Sequence, residues 1–316
     1  MRTETQSRES DRPPAISVVI STRDRAQMAI SCIASVLENR NPDFELVVID
    51  QSADYSLKIG LCEFEGDPRL RYLATPTRGL ASGRNLGIRQ ARADLIACTD
   101  DDCRVPADWL ERMNAALTGD DRIGVVYGNV RPMARNLQDG FIAGCLRTAP
   151  FVAKHLRHQH RVDGMAGSMG LKRSAWTLLG GFDEMLGAGA RFRSAEDLDF
   201  SIRALASGFF VCTDPGPEVT HYGFRSWSDG GKLIEGYLYG IGAMIAKHLK
   251  CGNWGILHYL AHLALRWAYT GPVVEFGHQP SRWLRLNAFL RGSAAALSTP
   301  VLREQMLFKA QNNLLK

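Results

Sequence analysis

Leu95-Ile96-Ala97-Cys98-Thr99-Asp100-Asp101-Asp102 is the stretch on which the fold turns. Four mostly apolar residues and a threonine run into three consecutive carboxylates. An apolar run this short, ending in concentrated charge, suits a strand buried on both faces of a parallel sheet. In open α/β sheets ligands bind just beyond the carboxyl ends of the strands, where the three aspartates would stand. Extended chain would send Asp100 and Asp102 to one side and Asp101 to the other. Two carboxylates aimed at one point repel unless a hard cation lies between them. Mg²⁺ or Mn²⁺ suits that role, held by one or two carboxylates together with substrate phosphates. The plainer alternative is a solvated acidic turn leading into a helix at Pro106. An EF-hand is excluded, because Arg104 falls on the third ligand position and no loop glycine follows.

Working outward, strands and helices alternate. Residues 16–21 (ISVVIS) and 44–50 (FELVVID) read as buried strands, and 71–74 as a third, shorter one. Between them, 26–38 carries Ala29, Ile33, Val36 and Leu37 at helical spacing, and 57–65 is a second helix. A helix over 80–92 then leads directly into Leu95. This β-α-β-α-β order predicts a parallel sheet with helices on both faces. Further on, Pro106 opens a helix reaching Leu117, and 123–130 and 167–171 read as strands. Residues 133–164 are basic and irregular; His155, His158 and His160 there do not share one helical face, which argues against a metal site. A short helix over 174–179, a turn at 180–184, an amphipathic helix over 196–207 and a strand over 209–213 follow. From Ser228 onward the pattern is helical.

Composition bounds the class. The 316 residues are 45% hydrophobic and 22% charged, ordinary for a globular chain. Seven scattered cysteines with no CxxC pair favour a reducing compartment and argue against structural zinc. The opening MRTETQSRESDRPP lacks an apolar core, so residues 1–14 are expected to be a disordered lead-in and not a signal peptide. No uncharged apolar run reaches the roughly 18 residues of a membrane span. Residues 1–225 hold 28 basic and 29 acidic groups, whereas 226–316 hold 10 and 4, so the net charge of +5 comes from the tail.

Six blocks, in order, resemble the family 2 glycosyltransferases of GT-A fold. They are Ser21-Thr22-Arg23-Asp24-Arg25, Val47-Val48-Ile49-Asp50 with Ser52-Ala53-Asp54, and Arg78 to Gly87 (RGLASGRNLG). Thr99 to Asp102 stands at the DXD position, Gly180 to Glu184 (GGFDE) at a conserved turn of that family, and Glu196 to Phe200 (EDLDF) at its acidic segment. The resemblance covers residues 16–223, about two-thirds of the chain.

It implies a GT-A, Rossmann-like, mostly parallel sheet over 15–226 and a helical C-terminal region over 227–316. A nucleotide-sugar donor, UDP-linked on this reading, would meet Thr22, Asp24, Asp50, Arg84, Asp100 and Asp101. Gln51 stands where the family has a second carboxylate, which loosens the reading of the base. Asp100, Asp102 and His221 would hold Mn²⁺ or Mg²⁺. Asp197 would be the general base of an inverting transfer, with Gly181, Phe182, Asp183 and Glu196 on the acceptor side. The acceptor implied is a hydroxyl of a glycan or lipid-linked glycan. For Asp50 an Asx turn, for Arg84 a surface arginine and for His221 a hydrogen-bonded strand-end histidine are the plainer readings.

The expected activity is therefore metal-dependent inverting glycosyl transfer in the cytoplasm, with no nucleic-acid partner. A sugar-nucleotide pyrophosphorylase is disfavoured, since STRDR is not a Gly-rich nucleotide loop. A non-catalytic donor-binding subunit would leave metal and base positions unfilled, and here they are filled. The basic helical tail predicts peripheral contact with the inner membrane face, or else a helical cap with solvated charge.

Overall fold

The computed structural model describes residues 12–134, 138–269 and 281–309, with the side chains of 266–269 excepted. All but the last three residues of the expected lead-in lie outside them. The chain begins β1 (Ile16–Thr22), α1 (Ala26–Leu37), β2 (Phe44–Asp50), then the short helix α2 (Ser56–Gly60), continued as a 3₁₀ turn over Leu61–Phe64. Next come β3 (Leu70–Ala74), α3 (Leu80–Gln90), β4 (Leu95–Asp100), β5 (Cys103–Arg104) and α4 (Trp109–Thr118). β6 (Ile123–Tyr127), β7 (Val130–Pro132), β8 (Gly140–Ile142), β9 (Phe151–Ala153) and β10 (Met169–Lys172) precede α5 (Arg173–Leu179) and α6 (Glu196–Ala206). After β11 (Phe210–Thr213), β12 (Val219–His221) and β13 (Phe224–Ser226) come three helices: α7 (Trp227–Lys250), α8 (Ile256–Tyr269) and α9 (Arg282–Leu297).

Eight strands form the central sheet in the order β3-β2-β1-β4-β10-β6-β11-β9. β3, β2, β1 and β4 are parallel neighbours. β10 lies antiparallel between β4 and β6, and β9 closes the far edge antiparallel to β11. Every residue of β1 and β2 is buried, as continuous apolar runs require when helices cover both faces. Alternate residues feed opposite cores. Val18, Ile20, Leu46 and Val48 pack with Ile33, Val36 and Trp109. Val19 and Ile96 pack with Ile88, Phe182 and Phe200 on the other face.

Register fixes the functional edge. Thr22 pairs with Asp50 and Ser21 with Asp100, so the polar ends of three adjacent strands stand side by side. The C-terminal helices are not set apart from this body. Ala243, Met244 and Ile245 of α7 and Ile256 of α8 share a core with Leu186, Phe192, Ala195 and Ile202. Ser226 caps α7, its hydroxyl accepting from Asp229 N. Among the described residues no helix is long and apolar enough to cross a membrane.

Candidate active site

β4 ends at Asp100, and the chain turns at Asp101-Asp102. The regular two-residue alternation stops there, so strand geometry does not fix the expected placement of Asp102 beside Asp100. Instead Asp101 and Asp102 share one cation: Arg25 Nη1 lies 3.0 Å from Asp101 Oδ1 and 3.0 Å from Asp102 Oδ2. Asp100 Oδ1 accepts from Arg84 Nη2 at 2.6 Å. Asp101 is buried and also accepts the Thr22 hydroxyl at 2.6 Å. Burial pushes its carboxyl up to about 6 against that bond and the Arg25 charge. Thr22 and Asp101 therefore brace the loop from within.

Asp50 is also inward. Its Oδ1 accepts from Ser52 N at 2.9 Å in an Asx turn, and its Oδ2 from the Tyr72 hydroxyl at 2.8 Å. Asp24 is outward, in a left-handed conformation (φ 56°), with its N–H on Ser52 Oγ. Of the expected base-pocket residues it is the exposed one. Arg84, expected to meet the diphosphate, is buried, its second nitrogen 3.1 Å from Glu196 Oε1. It joins the DXD position to the acidic segment through Asp100 and Glu196.

Asp102 and His221 come together because β12 pairs with β5, placing His221 opposite Cys103. His221 Nε2 lies 3.3 Å from Asp102 Oδ1. Its Nδ1 lies 2.7 Å from Ala143 O, and a carbonyl only accepts, so Nδ1 carries the proton. Burial draws the imidazole pKa down, but Asp102 outweighs it and the net shift is upward. The Asp102 carboxyl is correspondingly held below its usual value, the pull of His221 and Arg25 outweighing burial. A Cβ on Gly223 would stand 2.5 Å from both Asp102 Oδ2 and His221 Nε2, so glycine leaves open the space between the two donors. Among the described residues no three His, Cys, Asp or Glu side chains form a ready metal cage. Two protein donors plus substrate phosphates is a sufficient set for Mg²⁺ or Mn²⁺. Asp100 accepts from Arg84, and its charge also acts on His221, adding to the upward shift.

The acidic segment separates its three carboxylates by environment. Glu196 is buried on Arg84; burial, then the charge of Asp197, pushes it up to about 7 against Arg84. Asp199 is fully buried among Arg203, Lys247 and His248, at 2.8, 2.6 and 2.9 Å. Asp197 stays partly exposed, Oδ1 on Leu198 N at 2.7 Å, and forms no ion pair among the described residues. Burial raises its pKa, partly offset by Arg84. The two residues at 193 and 195 ahead of it have positive φ, and Glu196 at the start of α6 reaches the end of β4 through Arg84.

The GGFDE turn is pinned by Asn85. Its Oδ1 accepts from Phe182 N at 2.8 Å and Trp176 Nε1 at 3.1 Å, and its Nδ2 donates to Phe182 O at 2.9 Å. Gly181 (φ 84°) lies so close that a Cβ would reach 2.7 Å from Asn85 Oδ1. Phe182 is buried against Phe200. Asp183 is buried too, with Oδ2 on Lys247 Nζ at 2.7 Å and Phe308 N at 2.8 Å, and Oδ1 on Met185 N. Phe182, Asp183 and Glu196 are thus buried and engaged within the protein. Arg25, Asn85 and Lys247 hold the site, yet none is singled out by the sequence reading. For Arg25 and Asn85 the signal was their place within the quoted motifs; for Lys247, in a helical run, there was none.

Residues 17–175 match the family model described as glycosyl transferase family 2. Over 98 residues the chain is 36% identical to an uncharacterised glycosyltransferase of Rickettsia felis, covering 30% of this chain and 16% of that protein. It is 24% identical over 204 residues to a hyaluronan synthase of Pasteurella multocida, covering 63% of this chain and 20% of that protein. In both cases the match spans a fifth or less of the relative. The fold is similar to that of the mannosyltransferase PcManGT from Pyrobaculum calidifontis, solved with GDP-Man and Mn²⁺. The TM-score is 0.57 at 17% identity, over 91% of this chain and 88% of that one. It is similar also to residues 1–349 of S. aureus TarS, with TM-score 0.55 at 16% identity over 89% and 82% of the chains.

Proposed function

This chain belongs to glycosyl transferase family 2, and on that premise we propose that it is a glycosyltransferase performing a metal-assisted, inverting transfer from a nucleoside-diphosphate sugar to a hydroxyl acceptor. The observation that carries the proposal is the sorting of the EDLD carboxylates. Glu196 and Asp199 are buried on cations, while Asp197 alone is partly exposed and unpaired by any cation among the described residues. A carboxylate so placed is suited to accept a proton.

In this reading Asp197 takes the proton of the acceptor hydroxyl as that oxygen bonds to the anomeric carbon. The bond from that carbon to the diphosphate oxygen breaks, and the nucleoside diphosphate leaves with the electron pair. Asp102 and His221 fit a divalent cation, since Nδ1–H on Ala143 O leaves Nε2 as the ligating nitrogen. Such a cation would supply positive charge to offset the charge that builds on the departing diphosphate. Arg25, whose side chain is 38% exposed, already balances Asp101 and Asp102. Solved structures of similar fold hold GDP-Man with Mn²⁺ in one case and UDP, GalNAc and Mn²⁺ in another, which supports the donor class. UDP is our first choice of nucleotide.

A thermal-shift panel of UDP and GDP sugars, with and without Mn²⁺, tests the reading. Binding to the folded state raises its apparent stability by mass action. A rise that needs the cation is expected for at least one UDP sugar. No response to any nucleotide sugar under either condition would overturn the proposal.

A further inference from the structure

The long helix α7 reaches back to the site. Ser194, two residues ahead of Glu196, lies with its hydroxyl 3.2 Å from Gly236 O and 3.1 Å from Tyr237 O, donating to that pair of carbonyls. Two glycines of α7 let the backbones close. A Cβ on Gly236 would lie 3.8 Å from the Arg193 side chain, and one on Gly240 would collide with Ser194 Oγ and stand 2.6 Å from Phe192 O. Residues 192–195 lead straight into α6, so Tyr237 is held beside the helix start that carries Asp197.

Tyr237 is 38% exposed, and its hydroxyl has no hydrogen-bond partner among the described residues. The other two tyrosines near the site are engaged within the protein, Tyr72 on Asp50 and Tyr127 on the Asp197 carbonyl. The charges around the Tyr237 hydroxyl are those of the site itself. Asp197 acts on it most strongly, then Glu196, Arg225 and Asp100. Glu196 and Asp100 are the two carboxylates that Arg84 bridges, so these groups form one cluster. Burial of the hydroxyl end, and then the two carboxylates of α6, push the phenol up to about 12. It therefore stays protonated at neutral pH and can donate.

An exposed aromatic face with a free O–H suits a ligand that has an apolar face and a ring of hydroxyls. A pyranose has both. Asp100, the carboxylate on the donor side, acts least of the four, whereas Asp197, which faces the acceptor in the reading above, acts most. Resting on that glycosyl-transfer reading, we propose that Tyr237 binds a sugar acceptor. Its ring stacks on a pyranose face, and its hydroxyl donates to a sugar oxygen near the one that Asp197 deprotonates. The acceptor class is then a glycan or glycoside, and α7, outside the matched residues 17–175, supplies part of its site.

Saturation-transfer NMR tests this without needing turnover. The full chain is loaded with UDP and Mg²⁺ and offered the methyl glycosides of glucose, galactose, mannose and N-acetylglucosamine. At least one should receive saturation, strongest on the ring protons of one face. Tyr237→Phe loses only the O–H and should weaken that glycoside about threefold. Tyr237→Ala loses the ring as well and should weaken it at least about tenfold. The side chain is exposed, so neither variant should move the melting curve or the stabilisation by a UDP sugar with Mn²⁺. Undiminished saturation transfer in Tyr237→Ala overturns the proposal, as does a wild type that transfers to none of the glycosides. Loss of donor stabilisation along with glycoside binding overturns it too, since Tyr237 would then serve the donor. A wild type stabilised by no nucleotide sugar removes the glycosyl-transfer reading, and this proposal with it.

Discussion

Lys247 Nζ lies 2.6 Å from Asp199 Oδ1, and neither side chain reaches solvent. The same ammonium holds Asp183 at 2.7 Å, so one residue of α7 ties the GGFDE turn to the helix that carries Asp197. Removing one partner of a buried pair strands the other charge and costs about 3–5 kcal/mol. Lys247→Met is expected to lower unfolding free energy by that order. Arg291→Ala, which breaks a solvent-exposed pair with Glu235, should cost at most about 1 kcal/mol. Urea denaturation of the two variants gives the comparison. Equal losses would mean that the buried network does not hold the two segments together.

That network also marks where sequence reading stops. β1, β2 and β4 are legible because an apolar run ending in a carboxylate is a local pattern, and the register then brings Thr22, Asp50 and Asp100 together. The direction of β10 is not legible, since alternation in a strand carries no sign of which way it pairs. Arg84 reads as an arginine meeting the diphosphate or as a surface charge on a helix, yet its partners Asp100 and Glu196 are 16 and 112 residues away. Only their convergence makes its burial tolerable. Lys247 depends in the same way on carboxylates contributed by two other segments. The aspartate triplet is partly legible for a simpler reason: strand geometry ends at Asp100 and does not fix Asp102.

If Asp102 and His221 hold a divalent cation, Asp102→Ala should remove the cation dependence of nucleotide binding together with most of the affinity. Titration calorimetry with UDP, with and without Mn²⁺, measures both. Equal wild-type affinity in the two conditions would take the metal out of the donor site.

Gly223 offers a subtler test of the same pocket. Alanine there puts a methyl group 2.5 Å from Asp102 Oδ2 and His221 Nε2. The residue is not in a left-handed conformation, so no backbone strain accompanies the change. The Mn²⁺ titration should weaken at least about tenfold, while the melting temperature without ligand shifts by only a few degrees, about 1 kcal/mol. Unchanged Mn²⁺ affinity would show that the space between the two donors is not used.

Asp197→Asn should abolish transfer and leave donor affinity nearly intact. The amide keeps the shape and can still accept from Leu198 N, but it cannot take the acceptor proton. General-base catalysis is worth about a hundred- to ten-thousandfold, and the loss should fall on turnover. Glu196→Gln should cost turnover much less, because that carboxylate faces Arg84. The pH profile follows from the same burial. Asp197 must be ionised to act, and burial raises its pKa, with Arg84 only partly offsetting the rise. The rate should therefore fall as pH drops through a value above the usual aspartate range of about 4. kcat/KM against pH locates that limb for the free enzyme, and NMR of the product reports its anomeric configuration. An Asn variant turning over at the wild-type rate, or a product that retains the donor's configuration, would remove Asp197 from the mechanism.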